Sequence, residues 1–184
     1  MAEDMCARLG PTRIKLADIA SELGIEAPSI YRHFQGLAGV IAALGEVSLK
    51  AEIETFDGTE KLPFDDALEL QAGRCFDLYI ARPGLARFLM VDLAVPGGVH
   101  VFDGNQNLDL IRELFALERD LLQRGVQEGA VRPMNLTTFI AAKLGPTLAA
   151  IALTDLQAPG SDTDFRTLKT EYLKTLTAGL RPQS

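Results

Sequence analysis

Leu16-Ala17-Asp18-Ile19-Ala20-Ser21-Glu22-Leu23-Gly24-Ile25-Glu26-Ala27-Pro28-Ser29-Ile30-Tyr31-Arg32-His33-Phe34 is the stretch on which the fold turns. Leu16 to Leu23 has helical apolar spacing and ends at Gly24, a residue that accepts the positive φ of a helix C-terminus. A short helix is expected from Pro28 to about Phe34, because proline at a first-turn position loses no hydrogen bond. Ala20 is small where two helices must cross closely. Ile25 can bury an anchor after the turn, and Ile19, Leu23, Ile30 and Phe34 can share one small core. The second helix then turns Ser29, Tyr31, Arg32 and His33 outward, a set of hydroxyl, aromatic and basic groups suited to phosphates and base edges in a major groove. This is the physics of a helix-turn-helix.

Outward from that stretch the helical pattern continues. Upstream, Asp4 to Leu9 is expected to be helical and to stop at Gly10-Pro11. Downstream, helices are expected over Leu37 to Thr55, Phe64 to Ile80, Pro83 to about Leu93, Gln106 to Gln127, Leu136 to Thr154 and Asp162 to Leu180. Roughly nine helices and no strand pattern make the chain all-α. Asp57-Gly58 through Pro63 reads as a linker. We place a head over residues 1–45 and a body over 46–184, with the boundary in or before that linker. No internal repeat or low-complexity segment is seen.

Composition narrows the class. The 184 residues are 47% hydrophobic and 23% charged, the balance of a globular protein. No uninterrupted apolar run approaches the ~18 residues of a membrane span. No secretory signal opens the chain, so a cytoplasmic protein without a membrane partner is expected. Cys6 and Cys75 have neither metal spacing nor a dense framework and read as reduced thiols. The net charge of −7 argues against a protein that coats nucleic acid nonspecifically. Yet Arg8 to Phe34 holds four cations (Arg8, Arg13, Lys15, Arg32) against three acids (Asp18, Glu22, Glu26), so the excess acid lies in the body.

The run Ile19-Ala20…Leu23-Gly24-Ile25…Ser29-Ile30-Tyr31-Arg32-His33-Phe34 resembles the DNA-binding signature of the TetR (tetracycline-repressor) family, and its Tyr-x-His-Phe ending is the sharpest part. The match spans about Gly10 to Leu44. Gly125-Val126-Gln127-Glu128-Gly129-Ala130-Val131-Arg132-Pro133 also resembles the turn between the family's two long C-terminal-domain helices. The resemblance implies a homodimer that binds a palindromic double-stranded DNA operator and is released by a small-molecule inducer, without a cofactor. It implies DNA contacts from Arg13, Lys15, Pro28, Ser29, Tyr31, Arg32 and His33, and a core place for Phe34. Two features depart from it. The family usually has a lysine two residues on from the phenylalanine, where it meets phosphate, and here Gln35-Gly36 leads to Leu37. The first helix is also about two turns short before Arg8, as in a truncated or late-started chain. Weaker, more salt-sensitive DNA binding is therefore expected.

The body offers two further arguments. Cys75 and Tyr79 share a helical stripe that is either plain core or the wall of an apolar cavity with a few orienting groups. The resemblance implies such an inducer pocket, for which Cys75, Tyr79, Phe88 and Phe102 are the candidates. Ala141, Ala142, Gly145, Ala149, Ala150 and Ala152 keep the Leu136–Thr154 helix thin enough for another helix to approach closely. Pro146 should kink that helix. The stripe Phe165, Leu168, Tyr172 and Leu176 can cover it, within one chain or, as the resemblance implies, in a four-helix bundle between two. His100 has no partner at metal-ligand spacing. Three functional readings remain. One is a ligand-responsive repressor; another is a degenerate relative that binds a small molecule as a dimer without DNA. The third, an all-helical enzyme, lacks a paired acid and base, a metal cluster or a phosphate loop to support it.

Overall fold

A computed structural model describes Met5 and residues 13–94, 107–156 and 164–182. Among them are eight helices and no strand: α1 (Leu16–Leu23), α2 (Ala27–Tyr31), α3 (Gly36–Glu54), α4 (Phe64–Ala81), α5 (Pro83–Ala94), α6 (Leu108–Gln127), α7 (Leu136–Leu156) and α8 (Phe165–Leu180). The chain is all-α, as its periodicity predicts. The helix expected over Asp4 to Leu9 lies outside the described residues apart from Met5, and so do Cys6, His100 and Phe102. Two compact units divide the chain, one from residues 1–50 and 82–111, the other from 51–81 and 112–184.

In the first unit α1 packs against α2. Ile14, Leu16, Ile19, Ala20 and Ile30 are buried between them and their neighbours. Lys15 precedes α1 without a side-chain cap. Instead the Asp18 carboxylate reaches back to accept from the Lys15 backbone N–H at 3.1 Å, satisfying one donor left over at the helix start. Gly24 ends α1 at φ +64°, and Ile25 N–H donates to the Ala20 carbonyl at 3.0 Å across the turn. In α5, Gly84, Leu85, Ala86, Phe88 and Leu89 are buried. Before α6, Asn107 Nδ2 donates to the Ala42 carbonyl of α3 at 3.0 Å.

Three residues assigned to the head's small core stand outside it: Leu23 is 47% exposed, Ile25 42% and Phe34 36%. The reason is where the helices stop. Leu23 is the last residue of α1 and Ile25 leaves the Gly24 turn. The helix expected to reach Phe34 ends at Tyr31, and Arg32 to Gln35 are turn residues. Phe34 N–H still bonds the Ile30 carbonyl at 2.9 Å, but the helix itself has ended.

In the second unit α4 packs on both α7 and α8, which pack on each other. A tight junction closes the unit where α6 turns toward α7. Gly125 accepts from the Ala130 and Val131 N–H groups at 2.9 and 3.0 Å. A Cβ on Gly125 would fall 2.6 Å from the Phe64 ring and 2.7 Å from Val131, so only glycine fits there. Glu128 Oε2 accepts from Phe64 N–H at 2.8 Å, at the start of α4. Arg124 Nη1 bonds the Thr59 and Leu62 carbonyls at 2.6 and 2.9 Å, tying down the segment read as a linker. The last helix begins at Phe165 rather than Asp162 because Asp164 caps it, Oδ1 accepting from the Arg166 and Thr167 N–H groups at 3.0 and 3.3 Å.

α7 continues through Pro146, whose missing N–H leaves the Ala142 carbonyl without its helical donor. The stretch Leu136–Leu153 is long and apolar enough to cross a membrane by length and composition, and only 28% of it is buried. At its middle, however, stands Lys143, buried and ion-paired to α6.

Candidate functional site

The residues assigned to DNA contact fall on α2 and the turn after it, and just before α1. Pro28, Tyr31, Arg32 and His33 are exposed, as are Arg13 and Lys15. Tyr31 is 61% exposed, a large aromatic ring left in water with a polar tip. Ser29 is half-buried and accepts from Arg32 Nη2 at 2.8 Å, which holds the guanidinium alongside the helix. The geometry follows from local chemistry. Gly24 fixes the turn, and Ile30 anchors α2 inward while Tyr31 beside it stays exposed. A short helix and the turn after it, carrying between them a hydroxyl, a phenol, a guanidinium and an imidazole, can meet phosphates and base edges.

The residues assigned to ligand contact are distributed over the two units. Cys75 and Tyr79 lie one turn apart on α4 in the second unit, Phe88 is buried in the first, and Phe102 is outside the described residues. Around Cys75 the second unit holds a polar core that periodicity alone does not announce. Lys143 Nζ donates to Glu118 Oε2 at 2.6 Å, both groups buried. The ammonium also lies 5.2 Å from the centre of the Phe56 ring and 5.1 Å from that of Phe139, where the faces of both rings attract it. Tyr172, stacked on Phe76 at 5.7 Å, donates its hydroxyl to the Lys143 carbonyl at 2.7 Å.

The end of α3 adds a second carboxyl. Desolvation, reinforced by the negative Glu118 and only partly offset by Lys143, pushes Glu52 from its ordinary 4.5 to about 8. Desolvation and the nearby Glu52 likewise push the Cys75 thiol far up, which leaves it an unreactive thiol. Glu52 therefore keeps its proton at neutral pH. Close by, Gln71 Nε2 donates to Thr55 Oγ1 at 3.0 Å, and Thr55 Oγ1 donates to the Glu52 carbonyl at 2.6 Å. Gln71 Oε1 and the Tyr79 hydroxyl are buried without a partner. Glu52, Glu118 and Lys143 escaped the sequence reading, yet a signal existed. Glu118 falls on the stripe Leu114, Glu118, Leu121, Gly125, and Lys143 on Phe139, Lys143, Thr147, each a charge at a position the helix buries.

The chain is similar in structure to the TetR-family regulator PfmR from Thermus thermophilus, with a TM-score of 0.72 at 16% identity, over 98% of this chain and 97% of that one. The chain carries the TetR-family fold. The ketosteroid transcriptional regulator KstR2 of Mycobacterium tuberculosis matches this TetR fold with a TM-score of 0.75 at 16% identity, over 99% of this chain and 92% of that one. The transcriptional regulator FadR of Bacillus subtilis, solved in complex with stearoyl-CoA, matches it with a TM-score of 0.73 at 17% identity, over 98% and 96%. No protein-family model and no curated protein matches the sequence. Among the described residues of this TetR fold no group of His, Cys, Asp and Glu is arranged to hold a metal ion.

Proposed function

We propose that the protein is a ligand-responsive transcriptional repressor, cytoplasmic and not an enzyme. It binds a palindromic operator as a homodimer and is released when its body takes up a small-molecule inducer. The observation that carries this reading is the open Tyr31-Arg32-His33 surface, at the end of the short helix that follows the Gly24 turn and in the turn after it. Arg13, Lys15, Pro28 and Ser29 flank it as phosphate or base contacts, and residues 1–45 act as the DNA-binding head on the body 46–184. The shared fold with regulators, one of them solved with stearoyl-CoA, supports an effector-binding body.

Pairing is supported by α7. A long apolar helix with little of its surface buried, and with Ala141, Gly145 and Ala149 exposed, leaves an apolar face for a second copy. Beside it a groove of about 450 Å³ is lined by Met134, Ala142, Pro146, Ala150 and Leu176, among others. A two-fold pair places two heads for half-sites about one DNA turn apart. The inducer acts by preferring the body conformation whose heads are wrongly spaced.

The test is a shift assay on DNA flanking the protein's own gene at about 50 mM salt, with sedimentation to count subunits. Specific retention by a dimer, weakening steeply as salt rises, is the expected result. Absence of retention by a well-folded dimer would instead favour a ligand-binding dimer without DNA, a reading to which Gln35-Gly36-Leu37, in place of a phosphate-binding lysine, lends support.

A further inference from the structure

The groove between α7 and α8 carries its charges in a pattern that selects what fills it. Its walls are mostly apolar or small, with Ala142, Pro146 and Ala150 from α7 facing Leu168, Leu176 and Gly179 from α8. Among the described residues two charged side chains line it, Arg132 and Glu171. Both are exposed, and neither has a side-chain hydrogen bond or an ion pair among those residues. Arg132 stands at the far end of α8, where its backbone N–H bonds the Leu180 carbonyl at 3.0 Å. Glu171 lies about 14 Å back along the same helix, at about 1.5 Å per residue. One groove thus holds an unpaired cation and an unpaired anion, well separated. Open space lies over the same face: a Cβ added at Gly179, or at Gly145 beside Pro146, would meet nothing within 4 Å. No neighbour within the chain demands a glycine at either place. Glycine is a poor helix former, and what it offers there is room for another backbone to come close.

Charge decides among occupants. An apolar anion would satisfy Arg132 and leave Glu171 covered without a partner, and an apolar cation would do the reverse. A neutral apolar molecule would strand both, which is costly once water is excluded. A second copy of the same groove serves both at once. In a two-fold contact residue i touches j and j touches i. An axis crossing α8 midway between the two charges, near Leu176, therefore lays each Arg132 against the opposite carboxylate. We propose that Arg132 of one protomer pairs with the partner subunit's Glu171, twice across a two-fold axis, and that this exchange selects a second copy of the chain as the groove's occupant. The proposal rests on the homodimer reading above and names what makes the pairing selective. The apolar walls supply the buried centre of the contact, and the two ion pairs at its rim fix register and reject chains that lack them.

Sedimentation of the full-length chain over a range of concentrations tests this, at about 50 and about 500 mM salt. Arg132→Glu sets like charges against each other at both contacts, and so does Glu171→Arg. Each variant alone should raise the dimer dissociation constant about thirtyfold or more at low salt, and less at high salt. Both positions are exposed, so helix content by circular dichroism should not change. The deciding arm mixes the two variants in equal amounts. Every contact of the mixed dimer again joins unlike charges, so pairing should return to within about threefold of the natural strength. A chain carrying both substitutions should recover as well. Dimers of natural strength from either single variant, or a mixture that stays dissociated, would overturn the proposal and leave the homodimer standing on another contact. A natural chain that stays monomeric would sink the proposal and the homodimer together, leaving the groove to a different occupant. Operator retention by the natural dimer decides the repressor reading separately.

Discussion

The α1–α2 head and the polar core of the second unit are opposite solutions to placing charge. In the head, Arg13, Lys15, Tyr31, Arg32 and His33 are exposed, and in water each charge costs little to keep. In the second unit Glu118 and Lys143 are buried 2.6 Å apart, with Glu52 held neutral beside them. The first arrangement can be emptied of a charge without structural damage. The second cannot, because a charge stripped of its partner in a desolvated site is strongly unfavourable. A surface cluster is thus cheap to alter, and a buried one is tied to the stability of the fold.

Substitution at Lys143 strains this contrast most. Lys143→Ala leaves Glu118 without a counter-ion and should cost about 3–5 kcal/mol in denaturant unfolding. Glu118→Gln should cost clearly less, because Glu52 can ionise and take its place beside Lys143; equal losses would show that Glu52 is not within reach. Gly125→Ala forces a Cβ to 2.6 Å from Phe64 and should cost about 1–3 kcal/mol by overpacking, read in the same experiment.

The acid-base balance of the core gives a third test. Glu52 titrates near 8 when folded and at its ordinary 4.5 when unfolded, so between those values the folded chain holds more protons. Its contribution to stability is complete below pH 4.5, declines as pH rises, and levels off above 8, with a slope approaching about 1.4 kcal/mol per pH unit. Glu52→Gln should remove that slope from unfolding curves taken across the range. On the head, Tyr31→Ala should leave thermal stability unchanged and weaken operator binding about tenfold, roughly the loss of one good contact. A drop in melting temperature would show instead that Tyr31 serves the head's own packing.

Much of the fold is legible in the order of residues. The boundaries of α1, the break at Gly24, the starts of α4 and α7 and the end of α6 at Gln127 all follow from apolar spacing and from glycine, proline and capping residues. The departures lie at helix ends. Phe34 reads as the next turn of the Ile30 stripe, but α2 is too short to carry it there, and Asp164 rather than Asp162 starts α8. In the second unit Cys75 and Tyr79 stand out as aromatic and thiol on one stripe. The charges that surround them do not, since a lone Glu or Lys on an apolar stripe reads as interruption until its partner is known.

What the chain's order of residues determined unaided is therefore its local chemistry: a succession of helices, a turn that needs positive φ, and a set of polar side chains flanking a buried Ile30. These depend on neighbours within four positions, which a linear pattern records. What only the tertiary structure decided is which charges meet. Glu52, Glu118 and Lys143 lie 66 and 25 positions apart along the chain, and it is three helices packing that desolvates them together, pairs two and leaves the third holding a proton.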